Sequence, residues 1–119
     1  MSKDLILPLQ TQWFDMWKSG KKKFDYRDIK PYWAKRFCKN YSKDCTRNFL
    51  NEDIPLHCES CDFFEQKTYR RLILTKGYPK SDEKEKRIKK DYPYIFIEKG
   101  CKELGSLPDT YYFVVTSND

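Results

Sequence analysis

Histidine is almost missing from this sequence. His57 is the single one in 119 residues, so a Ser-His-Asp or Cys-His triad would have to be built on it, inside a stretch with no steady periodicity. Hydrolase chemistry of that type is disfavoured. Long apolar runs are missing as well: no run of about eighteen apolar residues exists. The opening Met1–Pro8 is too short and too soon interrupted to read as a signal peptide or a membrane span. The expectation is a cytoplasmic protein that meets no membrane. Internal repeats are absent, and so is the alternation of strand and helix that builds parallel βαβ layers.

Aromatic side chains are plentiful. Eight Phe, nine Tyr and three Trp make up 17% of the residues within an apolar fraction of 39%. That supply can bury enough area to offset chain entropy, which excludes a disordered tail. The length suits one ordinary domain, residues 1–119, and is too short for two comfortable ones. Charge is unevenly spread around a net +6. Residues 1–43 carry eleven Lys/Arg against four Asp/Glu, and residues 67–90 carry ten against three. Residues 44–65 hold only Arg47 against six carboxylates. If the fold brings the two basic blocks together, the result is a positive face suited to a polyanion, most plausibly nucleic acid. The alternative is an ordinary lysine-rich surface.

Read in order, Leu5–Leu9 is an opening strand with Pro8 at its end or on an edge. A helix follows, with Thr11 as a candidate N-cap and Trp13, Phe14 and Trp17 on one stripe. At that spacing the tryptophans belong to the core more readily than to a stacking platform. Gly20 ends the helix. A strand over Lys22–Asp28 then puts Lys23, Asp25 and Arg27 on one ionic face and Phe24 and Tyr26 on an apolar one. Pro31 suits the first position of a short helix in which Trp33 and Phe37 pack inward while Lys30, Lys35 and Arg36 stay at the surface. From Cys38 to Gln66 the periodicity is lost, and the stretch reads as a long insertion. Strands return at Thr68–Lys76, Tyr92–Glu98 and Thr110–Thr116, with the charge run Lys80–Lys90 as a solvated tip or loop. The fold class is α+β: a small mixed barrel with a helix beside it.

In this order the chain resembles the ASCH domain, a member of the PUA-like superfamily of small β-barrels with many phage and bacterial representatives. The resemblance rests on Ser19-Gly20-Lys21-Lys22 with Arg27 seven residues after the glycine, similar to a G-x-K…R signature, and on the glycine-aromatic turn Lys76-Gly77-Tyr78. Tyr94–Glu98 and Tyr111–Val115 fit the last strands. It covers about residues 3–37 and 68–116 and leaves out Cys38–Gln66. It implies a PUA-like barrel with a cleft beside the first helix, used for RNA, a modified base or a nucleoside-like ligand. Lys22 and Arg27 would be the cleft cations and Tyr78 a rim residue. Some members are amidohydrolases on acylated cytidine, or ribonucleases; in the former a threonine stands where this chain has Asp25. A lysine beside a carboxylate has its charged form favoured. Lys22 therefore reads as an anion-binding cation before it reads as a base.

Three functions compete. The leading one is a binding module for RNA or a modified nucleotide, with Lys22 and Arg27 on phosphate or a base edge, Trp33, Tyr32 or Tyr78 stacking, and Lys21, Lys35 and Arg36 adding surrounding positive charge. The run 84–90 widens its electrostatic footprint. The second is an amidohydrolase or nuclease using Lys22 with Asp25 or Glu98, although Asp25 is more simply an ion-pair partner of a neighbouring cation. The third is a protein-binding adaptor using the acidic 44–65 segment. Cysteine supplies a further signal. Cys58-Glu59-Ser60-Cys61 is one knuckle, and Cys38 and Cys45 lie upstream. Four cysteines, or three with His57, would make a zinc site able to hold a segment poor in apolar residues. Reduced thiols are the alternative, and a disulfide is disfavoured in the cytoplasm.

Overall fold

The computed structural model describes residues 3–43, 45, 61 and 64–117. Among the described residues it is an α+β fold whose elements include six strands in two sheets and two helices. The strands are β1 (Lys3–Leu9), β2 (Phe24–Asp28), β3 (Tyr69–Lys76), β4 (Arg87–Asp91), β5 (Tyr94–Lys99) and β6 (Tyr111–Thr116). The helices are α1 (Thr11–Lys18) and α2 (Pro31–Phe37). Among the described residues the pairings give two three-stranded sheets and no closed barrel. No helix among them is long and apolar enough to cross a membrane. The elements gather into two compact units, each stitched from separate pieces of the chain.

The first unit takes Met1–Lys23, Thr68–Pro93 and Thr116–Asp119. Its sheet runs β1-β3-β4, with β1 parallel and β4 antiparallel to β3. Alternation places Leu5, Leu7 and Leu9 of β1 beside Leu72 and Leu74 of β3 on one buried face. Phe14 and Trp17 of α1 are buried with them, as their four-residue stripe requires. Pro8 sits within β1, opposite Thr75, on an edge strand where a missing N–H is tolerated. The N-cap of α1 is Gln10, not Thr11, and no side chain bonds there. Gly20, at φ 83°, closes the helix in the left-handed region.

The charge run is not all loop. Arg87–Asp91 forms β4, with Ile88 opposite Leu74 and Asp91 opposite Arg71. Pairing to β3 outweighs the weak strand preference of Lys and Arg, and an edge strand rich in lysine discourages edge-to-edge association. Only Ser81–Lys86 remains as a turn, with a single 3-10 turn at Lys84–Lys86.

The second unit takes Phe24–Lys67 and Tyr94–Val115. Its sheet runs β2-β6-β5. Tyr112, Phe113, Val114 and Val115 are all buried, so both faces of the central strand β6 are covered. Phe37 meets Phe113 edge to face at 5.3 Å, and Phe64 stacks on the same ring at 5.9 Å. Pro31 occupies the first turn of α2. Gln66 turns its side chain to the edge of the sheet, where its Oε1 accepts the N–H of Ile95 at 2.8 Å.

Candidate nucleic-acid interface

The β2 strand inverts the faces expected for it. Asp25 is buried at 4% exposure, whereas Phe24 is 38% exposed. Asp25 turns inward because it has a cation to meet there: Arg27 Nε donates to its Oδ2 at 2.6 Å, and the guanidinium is itself mostly covered. A charge-assisted bond of this kind offsets the cost of burying a carboxylate. Arg27 is thus the neighbouring cation with which Asp25 pairs.

Around that pair the second unit gathers rings and guanidinium groups. The carbon of the Arg27 guanidinium lies 4.9 Å from the centre of the Trp33 ring, and that of Arg36 lies 5.5 Å from it. Phe37 stacks on Trp33 at 5.4 Å, and Tyr32 meets it edge-on at 4.8 Å. Helical spacing explains the division of labour. Trp33 and Phe37 are four apart on the covered side of α2, while Tyr32 and Arg36 are four apart beside them. Arg36 Nη1 donates to the Tyr32 hydroxyl at 3.2 Å, which holds the phenol in place. Tyr32 is 57% exposed. It presents more of its ring to solvent than the half-buried Trp33 does. Lys35 is exposed on the same helix, its ammonium 5.8 Å from the Tyr41 ring.

Other residues named from the sequence belong to other parts of the chain. Glu98 stands exposed on β5 and accepts its neighbour Lys99's N–H. Burial, and to a smaller extent the neighbouring Cys101 and Glu98, raises the Tyr26 hydroxyl above its ordinary value. Tyr26 therefore stays protonated at neutral pH. In the first unit Lys22 is only 4% exposed, and its ammonium sits 4.5 Å from the centre of the Trp13 ring. Such a desolvated cation–π contact is worth about 2 kcal/mol. Lys21 is exposed in the same unit, and Tyr78 is 92% exposed beside Gly77, whose φ of 63° makes the turn.

Of the four cysteines assigned to zinc, Cys38 is buried and Cys45 and Cys61 are half-buried. Cys58 and His57 lie outside the described residues, as does most of the acidic 44–65 segment. Among the described residues no three His, Cys, Asp or Glu side chains group to hold a metal ion.

A second basic locus occupies the turn before β4, where an open hollow of about 590 Å³ is lined by Ser81, Lys84, Arg87 and Lys89. The sequence marks these residues only as a charge run; the backbone fold of the turn is what collects them. Compared with protein-family models, with curated proteins and with solved structures, the chain matches none.

Proposed function

We propose that this protein is a nucleic-acid-binding module, taking RNA or a nucleotide with a modified base on the ring-and-guanidinium surface of α2. The observation that carries the reading is Tyr32: an exposed phenol, oriented by Arg36 and backed by Trp33, on a chain of net charge +6. Every base offers a π-face, so an aromatic ring fixed beside cations accepts bases in a sequence-tolerant way. The resemblance to ASCH domains, with their PUA-like barrel, belongs to the same proposal. It is supported by the order strand, helix, strand, helix and then four strands.

Fluorescence anisotropy with a labelled uridine oligonucleotide tests it. Tyr32→Ala is expected to cost about 1–3 kcal/mol of binding, the value of one base–aromatic stack, while Tyr32→Phe keeps most of the affinity. An affinity unmoved by Tyr32→Ala, or no binding by the wild-type protein at low salt, overturns the reading. Arg27→Ala is the poorer probe. It also removes the hydrogen bond to buried Asp25, worth about 1.5–3 kcal/mol, and so mixes folding with binding. Mass analysis of whatever the natively purified protein releases then separates an RNA strand from a free modified nucleoside.

A further inference from the structure

The turn between β3 and β4 carries a cation cluster that the α2 surface does not use. Arg87 is its anchor. Nη1 donates to the main-chain carbonyls of Lys80 and Glu83, each at 3.0 Å, and Nη2 donates to that of Pro79 at 3.3 Å. Carbonyl oxygens satisfy N–H groups without neutralising charge, so they hold the guanidinium in a fixed place, where the nearby Glu83 carboxylate is the acid its charge also acts on. Lys84 and Lys89 add two exposed ammonium groups that make no ion pair among the described residues.

The acids of the turn do not cancel this. Six cations stand against three carboxylates over residues 80–90. Glu83 is already engaged, accepting from Lys86 and from the main-chain N–H of Lys80. Asp82 and Glu85 are exposed on the same turn and are not among the residues lining the hollow. What lines it is Ser81, Lys84, Arg87 and Lys89, three cations and a hydroxyl, around a space of about 590 Å³. That falls within the size of clefts that admit a nucleotide-sized group.

We infer that this hollow binds backbone phosphates of a single-stranded nucleic acid, with Lys84 and Lys89 as the contacting cations and Arg87 as the residue that shapes the turn. The inference rests on the nucleic-acid reading above and adds to it a phosphate site in the other unit. Phosphate recognition favours this placement: cations held by neutral carbonyls or left unpaired are available to an anion, whereas those locked to carboxylates, such as Lys86, are not.

The salt dependence of binding to the same labelled uridine oligonucleotide, about a dozen nucleotides long to fill one site, separates the possibilities. Neutralising one phosphate fewer on a single strand flattens the slope of log K against log salt by about 0.7. Lys84→Gln with Lys89→Gln is therefore expected to flatten it by about 1.4, twice that figure, whereas Lys84→Arg with Lys89→Arg keeps the wild-type slope. Removing the same charge at two exposed lysines elsewhere, Lys18→Gln with Lys102→Gln, is expected to leave the slope close to wild type. Circular dichroism checks that the fold survives in each variant. If the wild-type protein binds and Tyr32→Ala weakens it, yet the Lys84/Lys89 variant keeps the wild-type slope, the phosphate site is wrong and the stacking surface stands. If the control pair flattens the slope as much, the effect is diffuse charge and the site is again wrong. If the wild-type protein does not bind, both readings fall together.

Discussion

Three interactions converge on Glu83: the Lys86 ammonium, the N–H of Lys80 and the nearby charge of Arg87. They hold its carboxyl below the ordinary glutamate value, the hydrogen bond from Lys86 being the largest cause. A carboxyl with a depressed folded-state pKa binds its proton more readily in the unfolded chain. Its contribution to stability is thus present above the ordinary value, about 4.3, and is lost as pH falls through the lower folded value. Calorimetry between pH 6 and 3 is expected to show the wild-type melting temperature falling faster than that of Glu83→Gln, and the gap between them closing in acid. A constant gap across that range would show that Glu83 does not hold the turn by charge. Asp25 teaches the complementary lesson about sequence. Its neighbours Phe24 and Tyr26 mark it as outward-facing by alternation, but a carboxylate with a cation two residues away on the same face can be buried as a pair. Alternation reports side, not which side is inside; only the partner decides that.

At the scale of elements, Gly100 shows how a loop is fixed to a strand. It follows β5, and a Cβ there would press on the Leu107 carbonyl, with the Ser106 hydroxyl 2.7 Å and the Tyr112 ring 2.8 Å away. The Tyr112 hydroxyl accepts the N–H of Leu107 at 3.0 Å, so the loop is tied to β6 at the point where it crosses Gly100. Gly100→Ala is expected to destabilise the protein by about 1–3 kcal/mol, the cost of overpacking against backbone that cannot step aside. Urea unfolding measures it, and an unchanged midpoint would mean that the loop yields. The same scale separates what could be read in advance from what could not. α1 was legible because Phe14 and Trp17 repeat at helical spacing and Gly20 stops them. α2 was legible because Pro31 starts it ahead of Trp33 and Phe37. β4 was hidden: only Ile88 is apolar in Arg87–Asp91, and its strand character comes from pairing with Leu74 across the sheet. Neither locus was fully legible, since the hollow before β4 and the exposure of Tyr32 over Trp33 depend on how these elements pack.

Over the whole molecule, the order of the pieces matters more than their number. β1 pairs parallel with β3 from Lys3↔Tyr69 to Leu9↔Lys76, and the second unit draws on Phe24–Lys67 and Tyr94–Val115. Pairings so distant in sequence close only after much chain entropy has been lost, which slows folding. During synthesis the consequence is sharper. When residues 3–9 leave the ribosome, the strand that will pair with β1 does not yet exist, and β6, the centre of the other sheet, is made after both strands that flank it. Neither unit can be completed before its last strand has been made, so up to that point the nascent chain is an unprotected, aromatic-rich polymer. A chain arrested after residue 67 is expected to be digested evenly by a dilute protease, with no resistant fragment. A stable fragment at that length would mean that one unit folds without its last strands.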